Sequence, residues 1–244
     1  MLPLDFMRLV SGCGNMKIYA VKIEDICDEN LHRLSLKTGN DVRKRIERFV
    51  YKEDKQRTLM GQILIREIIA QQLEMRNEDI VFQKNDYGKP YLENHEKFHF
   101  NISHSGDMVV CAVHDKPVGI DIEQMLHIDD YLEIAKDYFT EREIAYIAKN
   151  EDARLSRFYE LWTLKESYIK CHGKGLSIPL KSFSIDIADE AVSVIVNGKR
   201  SNYLFKSFNI APDYKVALCI SDGVIPNDLI WVNQSELIKY ALHE

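Results

Sequence analysis

Three strand-like segments separated only by short turns limit the folds open to this chain. They are HFNIS (99–103), MVVCAV (108–113) and VGIDIE (118–123), and the turns between them contain His-Ser-Gly and Asp-Lys-Pro. The middle of the chain therefore predicts three consecutive β-strands, so the fold must contain β-sheet beside any helices.

Helix-like segments flank these strands in the sequence. Segments 40–52 and 55–74 come before them, and segments 130–149 and 152–171 follow, with apolar residues at helical spacing. Because strands and helices do not alternate strictly, the pattern predicts an α+β fold. Further strands are predicted at 17–23 and, near the C-terminus, at SFSIDIA, VSVIV, YLFKSFNI, YKVALCI and, more weakly, LIWV.

Part of the sequence recurs. FNISHSGDMVVC (100–111) and FNIAPDYKVALC (208–219) share Phe, Asn, Ile and Cys at matching positions, and a Thr-Leu pair lies in a helix upstream of each. Coincidence is one explanation of such short matches. The other is two related α+β halves, for which we take residues 16–115 and 116–244, with a cleft between them that would suit a ligand.

Composition is that of an ordinary globular protein. Of 244 residues, 45% are hydrophobic and 29% are charged, enough apolar material for a core. The net charge of −6 argues against a general nucleic-acid binder. Five cysteines, an odd number without a C-x-x-C pair, favour a reducing cytosol and argue against a disulfide framework or a thiolate zinc site.

The N-terminal segment does not resemble a targeting signal. Residues 1–15, MLPLDFMRLVSGCGN, are interrupted by Asp5 and lack a leading basic region. No stretch of the chain reaches the roughly 18 uninterrupted apolar residues of a membrane span. Because Met16 begins a cleaner strand, we interpret residues 1–15 as an extension or a mis-assigned start.

The segment VGIDIE alternates apolar and acidic residues. On a strand, Ile120 and Ile122 face one way, while Asp121 and Glu123 face the other, about 6–7 Å apart along the chain. Two carboxylates on one face can both reach Mg²⁺, which prefers oxygen ligands. An edge strand facing solvent would explain the same pattern.

The segment LWTLKESYIK (161–170) places Trp162, Glu166 and Lys170 on one face of a predicted helix, since residues four apart are neighbours. Glu166 and Lys170 have the spacing of an ordinary surface ion pair. Their neighbours are mostly apolar, however, and a largely buried carboxylate needs a partner or a metal. Glu166 is therefore either a surface pair member or part of a site, and Trp162 is predicted to pack.

Other segments suit phosphate binding. Ser103 and His104 end a strand at a loop mouth, although turn chemistry would explain them equally. The basic run VRKRIERF (42–49), followed by Arg57, predicts either a solvated helix face or a phosphate clamp. The turn YGKP (87–90) offers a lysine beside a ring and exposed backbone, although neither a Walker loop nor G-x-G-x-x-G is present.

Together and in this order, YGKP, FNISHS, GIDIE and WTLKESYIK resemble the 4′-phosphopantetheinyl transferases, in particular the larger, two-halved monomeric type that activates nonribosomal peptide and polyketide synthases. The resemblance spans roughly residues 17–222. It implies two similar α+β halves related by a pseudo-twofold axis, each a small antiparallel sheet packed with helices. The active site would lie in the cleft between them.

The resemblance also implies a cytoplasmic reaction. Phosphopantetheine would pass from coenzyme A to a serine of an acyl or peptidyl carrier protein, releasing adenosine 3′,5′-bisphosphate, with Mg²⁺ or Mn²⁺ on the pyrophosphate. Asp121, Glu123 and Glu166 would bind the metal, and Glu166 would also be the base toward the serine. Lys170 would stabilise or protonate the leaving phosphate.

Contacts with coenzyme A are implied for a larger set of residues. His104 would meet the 3′-phosphate. The full set is Arg45, Arg57, Thr58, Tyr87, Gly88, Lys89, Pro90, Ser103, His104, Asp121 and Lys170. Val42 stands where the family often has a basic residue, so Arg43 or Lys44 would have to take its place.

Two other hypotheses fit the same residues. A Mg²⁺-dependent phosphohydrolase would use the three carboxylates but transfer the phosphoryl group to water. A non-catalytic module that binds carrier proteins or senses nucleotides would keep the cleft without the chemistry.

Overall fold

The computed structural model describes residues 16–188 and 191–243, so the predicted extension at residues 1–15 lies outside the described part. The α-helices are α1 Asp28–Leu36, α2 Asn40–Arg48, α3 Lys52–Leu73, α4 Tyr131–Tyr138, α5 Glu141–Ala148, α6 Arg154–His172 and α7 Gln234–His243. Short 3₁₀ turns lie at Asn77–Asp79, Gly175–Ser177 and Leu180–Ser182.

The β-strands are β1 Lys17–Lys22, β2 Phe82–Lys84, β3 Pro90–Leu92, β4 His99–Ser105, β5 Met108–His114, β6 Val118–Gln124, β7 Phe183–Ala188, β8 Ala191–Val196, β9 Lys199–Arg200, β10 Leu204–Phe208, β11 Tyr214–Ile220 and β12 Ile230–Trp231. Within the described ranges, every helix is too short or too polar to cross a bilayer.

Most predicted elements are confirmed, and the differences have local causes. The predicted helix 130–149 is two helices, because Phe139 is extended and Thr140 starts α5 with a capping box that includes Glu143. The T-x-x-E signal for this break is present in the sequence. Helices α1 and α7 were missed.

Two antiparallel sheets form the centre of the molecule. The first has the strand order β12-β1-β5-β4, with only β12 running parallel to its neighbour, and the second has the order β10-β11-β6. The strands β2-β3 and β7-β8-β9 form two smaller sheets. The third of the three consecutive segments, β6, pairs with β11 rather than with β4 or β5.

Side-chain alternation along the strands builds a four-layer arrangement. On β1, Tyr19 and Val21 face a core shared with α3, whereas Ile18 and Ala20 face a core shared with the second sheet. Likewise, on β11, Ala217 and Cys219 face the core around α6, while Leu218 faces the first sheet. The two α+β halves therefore pack sheet against sheet, each with a long helix outside.

The recurring sequence corresponds only in part to this repeated architecture. Cys111 and Cys219 both lie on the second strand of a hairpin, but Cys111 is in the middle of β5, whereas Cys219 is next to the end of β11. Phe100, however, lies near the start of β4, whereas Phe208 ends β10. The Phe-Asn-Ile match is therefore not structurally equivalent.

Gly119 brings β6 close to α6. A Cβ atom at position 119 would overlap the carbonyl oxygen of Ser167 and the backbone nitrogen of Cys171. We expect Gly119→Ala to push the helix away from the strand and to lower stability by about 1–3 kcal/mol, the usual cost of overpacking. The measurement is thermal or urea unfolding followed by circular dichroism.

The matched control is Gly39→Ala, because a Cβ there would meet nothing closer than a side-chain nitrogen of Arg66 at 3.9 Å. Its expected cost is about 1 kcal/mol or less, since Gly39 is a helix N-cap without a side-chain bond. Equal stability of the two variants would show that the close approach at Gly119 is not required.

Candidate active site

Strand β6 carries acidic side chains on the face opposite the inter-sheet core. Ile120 and Ile122 are buried in that core, whereas Asp121 and Glu123 face hydroxyl groups of β4. Ser103 Oγ donates to Asp121 Oδ1 at 2.9 Å, and Ser105 Oγ donates to Glu123 Oε2 at 3.0 Å. The predicted alternation is therefore what the structure shows.

Side chains of β4 also bond the backbone of β6. The amide nitrogen of Ile120 donates to Asn101 Oδ1 at 2.8 Å, and that of Gln124 donates to Ser105 Oγ at 3.0 Å. Alternate side chains of β4 therefore accept bonds from β6 amides in place of a neighbouring strand's backbone. These bonds fix the register between the two halves. Sequence reasoning missed Asn101 and Ser105, although the N-x-S-x-S spacing could have indicated them.

Helix α6 presents the predicted stripe. Trp162, Glu166 and Lys170 are half-buried, while nearly all the residues between them are buried. Trp162 packs against aromatic rings of α4 and α6 and so serves the core, as predicted. Glu166 and Lys170 remain available to the cleft.

Lys170 crosses the cleft to the strand. Its Nζ lies 2.5 Å from Asp121 Oδ1 and donates to Ser103 Oγ at 3.0 Å. Lys170 therefore pairs with Asp121 rather than with Glu166, the neighbour that a surface ion pair would have used. Ser103 is committed to this arrangement, and its predicted phosphate contact stays a prediction.

Burial and the charge of Asp121 raise the pKa values of the two neighbouring glutamates, Glu123 and Glu166. Burial and the charge of Asp121 raise the pKa of Glu123 to about 7, against the lowering effects of Ser105 and Lys170. Burial, followed by the charge of Asp121, also raises the pKa of Glu166, and Lys170 opposes this shift. Concentrated negative charge of this kind is stabilised by a bound cation.

The donor set suits a hard cation. Asp121 is 3% exposed, and its Oδ2 has no hydrogen-bond partner among the described residues. A buried carboxylate oxygen without a hydrogen-bond partner costs free energy unless a ligand binds to it. In the part of the chain that the structure describes, no three acidic, histidine or cysteine side chains form a ready-made metal site. Asp121 fits a metal ligand, and Glu123 and Glu166 would have to move toward it.

Positive side chains surround His104 at the mouth of the cleft. His104 is exposed to solvent, but the groups packed around its ring, together with the charges of Arg57, Lys170 and Arg45, lower the pKa of His104. Arg57 donates to the carbonyl oxygen of Gly106 at 2.7 Å and pairs with Asp54. The structure thus brings His104, Arg57 and Arg45 to one region that suits an anion.

The surroundings of Thr58, Val42 and Arg45 in the first half are as follows. Thr58 is 7% exposed, and its Oγ1 has no partner within the described ranges. Val42 packs against the core of the first half, which explains an apolar residue there. Arg45 lies over the Phe49 ring and lines an open pocket with Lys44 and Arg48.

The turn at 87–90 lies beside α6. Together with Glu166 and Lys170, it lines a cavity of about 260 Å³. Tyr87 and Pro90 are exposed, whereas the Lys89 ammonium group points into the protein and donates to backbone carbonyl groups. The turn therefore adjoins Glu166 and Lys170, but Lys89 does not present its charge to the cavity, and the predicted contact with adenine stays a prediction.

A buried ion pair supports the helix from behind. Lys165 and Glu143, both 0% exposed, lie 2.7 Å apart, and Lys165 also donates to the carbonyl oxygen of Phe183. Glu143 accepts a further bond from the Ile185 amide. Because both buried charges have hydrogen-bond partners, the pair connects α5 and β7 with α6. The sequence marks Glu143 only as a capping residue and gives no sign of its partner.

Comparison with known families covers most of the chain. Residues 117–219 match the 4′-phosphopantetheinyl transferase superfamily, and residues 29–116 match the 4′-phosphopantetheinyl transferase N-terminal family. The two matches meet between the halves.

Individual relatives agree. The 4′-phosphopantetheinyl transferase Sfp of Bacillus subtilis (strain 168) is 39% identical over 226 residues, which is 91% of this chain and 100% of the relative. The 4′-phosphopantetheinyl transferase gsp of Aneurinibacillus migulanus is 38% identical over 201 residues, which is 82% of this chain and 83% of the relative. Among solved structures, a holo-(acyl-carrier-protein) synthase from Bacillus anthracis is 19% identical, covering 43% of this chain and 93% of that one, with a TM-score of 0.36.

Proposed function

The chain belongs to the 4′-phosphopantetheinyl transferase superfamily, and we propose that its reaction takes place in the cleft between β6 and α6. The enzyme transfers 4′-phosphopantetheine from coenzyme A to a serine of a carrier protein, converting the apo carrier to the holo form and releasing adenosine 3′,5′-bisphosphate. The observation that carries the site assignment is the convergence of Asp121, Glu123, Glu166 and Lys170 on one cleft.

Glu166 is proposed as the general base. The serine oxygen forms a bond to phosphorus as the pyrophosphate P–O bond breaks, and the serine proton passes to the Glu166 carboxylate directly or through a water. A raised pKa brings the base closer to the working pH, which favours proton transfer. Phosphoryl transfer needs little more from a protein than positioning and neutralisation of charge.

Lys170 is proposed to act on the leaving group. Its Nζ lies between Asp121 and Ser103 at the edge of the cleft. An ammonium group in this position can neutralise charge on the departing phosphate or donate a proton to it. The contacts with Asp121 and Ser103 hold the long side chain in place before coenzyme A arrives.

Asp121, Glu123 and Glu166 are proposed to hold Mg²⁺ or Mn²⁺. When bound, the cation neutralises the pyrophosphate oxygens. The Oδ2 of Asp121, for which the described residues offer no hydrogen-bond partner, supports this assignment. Because the pKa of Glu123 is about 7, protons compete with the cation, so cation affinity should fall as the pH drops below that value.

Coenzyme A is proposed to lie along the mouth of the cleft. His104, Arg57 and Arg45 would bind the 3′-phosphate, and the turn at 87–90 would contact the adenine side through its backbone. We propose carrier proteins of peptide or polyketide synthases as the second substrate. The four cysteines in the described ranges are free thiols, which suit a reducing compartment, so we place the enzyme in the cytosol. Because one chain supplies both walls of the cleft, we propose a monomer.

The function is tested by incubating an apo carrier protein with coenzyme A and Mg²⁺ and measuring the carrier by mass spectrometry. The proposal expects the carrier to gain the mass of one phosphopantetheine group. Release of nucleotide without carrier modification would indicate the hydrolase. Binding of the carrier with neither product would indicate the non-catalytic module.

His104→Ala is expected to weaken coenzyme A binding mainly through the 3′-phosphate. Loss of one charge-assisted hydrogen bond costs about 1.5–3 kcal/mol, roughly 10- to 150-fold in KM. The measurement compares the KM for coenzyme A with that for 3′-dephospho-coenzyme A, which should change little. An equal loss with both would show that His104 does not bind the 3′-phosphate. His127→Ala, at an exposed histidine in another region, is the control.

A further inference from the structure

The side chain of Lys89 joins the catalytic helix to the acidic strand. Its Nζ donates to the carbonyl oxygens of Lys170 at 2.6 Å and Val118 at 3.0 Å, with that of Cys171 at 3.5 Å. Lys170 belongs to the last turn of α6, and Val118 is the first residue of β6. One ammonium group thus contacts both elements that carry the site.

The contacts at the helix suit a cation. The last carbonyl groups of an α-helix have no partner within the helix, and they carry the negative end of its dipole. Helix α6 ends at Gly173, which has φ +73° and lies against the Lys89 side chain. Lys89 therefore satisfies carbonyl groups that the helix itself leaves unpaired.

A second side chain of the same turn strengthens the connection. Asn85 Nδ2 donates to the carbonyl oxygen of Gly173 at 2.7 Å. Its Oδ1 accepts bonds from the amides of Tyr87 at 3.0 Å and Lys89 at 2.9 Å, so the turn is internally fixed as well. The turn is consequently bound to the end of α6 at two points.

The electrostatic surroundings separate Lys89 from an ordinary ion pair. Burial lowers the pKa of Lys89. The groups that partly oppose this lowering are the thiols of Cys171 and Cys219 rather than a carboxylate. Taking a cation out of water is costly, and here carbonyl oxygens provide the compensation. Loss of the ammonium group would leave those carbonyl groups without their partner.

We propose that Lys89 is a positioning residue for the transfer reaction. By binding the carbonyl groups of Lys170 and Val118, it sets the end of α6 against β6, so that the Lys170 ammonium group meets Asp121 and the leaving phosphate. The turn that adjoins the nucleotide cavity thereby determines the placement of a catalytic group. This inference rests on the proposed function of the cleft.

Lys89→Met, which keeps the aliphatic stem, tests the proposal. Displacement of a catalytic group by about 1 Å costs up to about 10²-fold in rate, so kcat should fall by more than about tenfold. The affinity for adenosine 3′,5′-bisphosphate, measured by calorimetry, should change less than about threefold. The reverse result, normal kcat with weakened nucleotide binding, would make Lys89 a ligand contact and overturn the proposal. Lys97→Met, at an exposed lysine of the β3–β4 connection, is the matched control.

A double-mutant cycle distinguishes positioning from a general loss of stability. If Lys89 acts through Lys170, Lys89→Met should reduce kcat by less than about threefold in a Lys170→Ala background. Multiplicative losses would overturn the proposal. Should Lys89→Met fail to give the wild-type circular dichroism spectrum, Lys89→Leu, which also lacks a donor, is judged by the same two criteria.

The wild-type enzyme separates the two levels of inference. Failure of the wild-type chain to modify any carrier would contradict the proposed function. A wild-type chain that transfers, together with a folded Lys89 variant of unchanged kcat, would contradict only the positioning role.

Discussion

Glu166→Gln is expected to reduce transfer by about 10²–10⁴-fold, the range contributed by a general base. Glutamine has the shape of glutamate, but it can neither accept the serine proton nor supply an anionic oxygen to a cation. The side chain is half-buried, and the shift in its pKa shows that the protein works against its charge. The fold should therefore survive, and stability should hold or increase. Single-turnover transfer to a carrier protein measures the rate.

The control for this change is Glu160→Gln on the same helix. Glu160 accepts a hydrogen bond from Tyr146 at 2.8 Å, and glutamine can accept the same bond. Its transfer rate should stay within about threefold of wild type, a change of under about 0.7 kcal/mol in the barrier. Full activity of Glu166→Gln in the presence of Mg²⁺ would remove Glu166 from both of its proposed roles.

Local patterns in the sequence predicted most of the fold. Helices α3 and α6 and strands β4, β5 and β11 follow from apolar periodicity alone. The partner of β6 did not follow, because local patterns do not tell which distant strands pair. Strand β6 joins the second sheet through its backbone pairing with β11, and Asn101 and Ser105 of β4 connect it to the first sheet; both are contacts between distant segments rather than local signals.

The site was predicted to a similar depth. Alternation on β6 and the four-residue spacing on α6 placed Asp121, Glu123, Glu166 and Lys170 on the correct faces. The contact between these two faces depends on tertiary structure. Only the combined resemblance of four segments to the family indicated it. The side-chain direction of Lys89 was beyond sequence reasoning, because a lysine beside an exposed turn gives no sign that its ammonium group is buried against a helix end.

Asp121→Asn is expected to abolish measurable transfer while leaving the protein folded. Asparagine can still accept the bond from Ser103, but it removes the anionic oxygen that faces the cleft without a partner among the described residues. It also removes the charge that pairs with Lys170, so Lys170 would lose its place beside the leaving phosphate. Asp121→Ala should abolish transfer as well, with an additional cost of about 1–3 kcal/mol because Ser103 loses its acceptor.

A readout independent of activity comes from the neighbouring acid. The negative charge of Asp121 helps to raise the pKa of Glu123 to about 7. Removal of that charge makes ionisation of Glu123 easier, so its pKa should fall in Asp121→Asn, which carbon NMR of the glutamate carboxyl group can follow as the pH is varied. A lowered pKa with lost transfer and a native circular dichroism spectrum would assign Asp121 to the chemistry. An unfolded Asp121→Asn would show that Asp121 is required for the fold rather than for the chemistry. An unchanged Glu123 pKa would show that the two carboxylates are not the coupled pair on which the metal assignment depends.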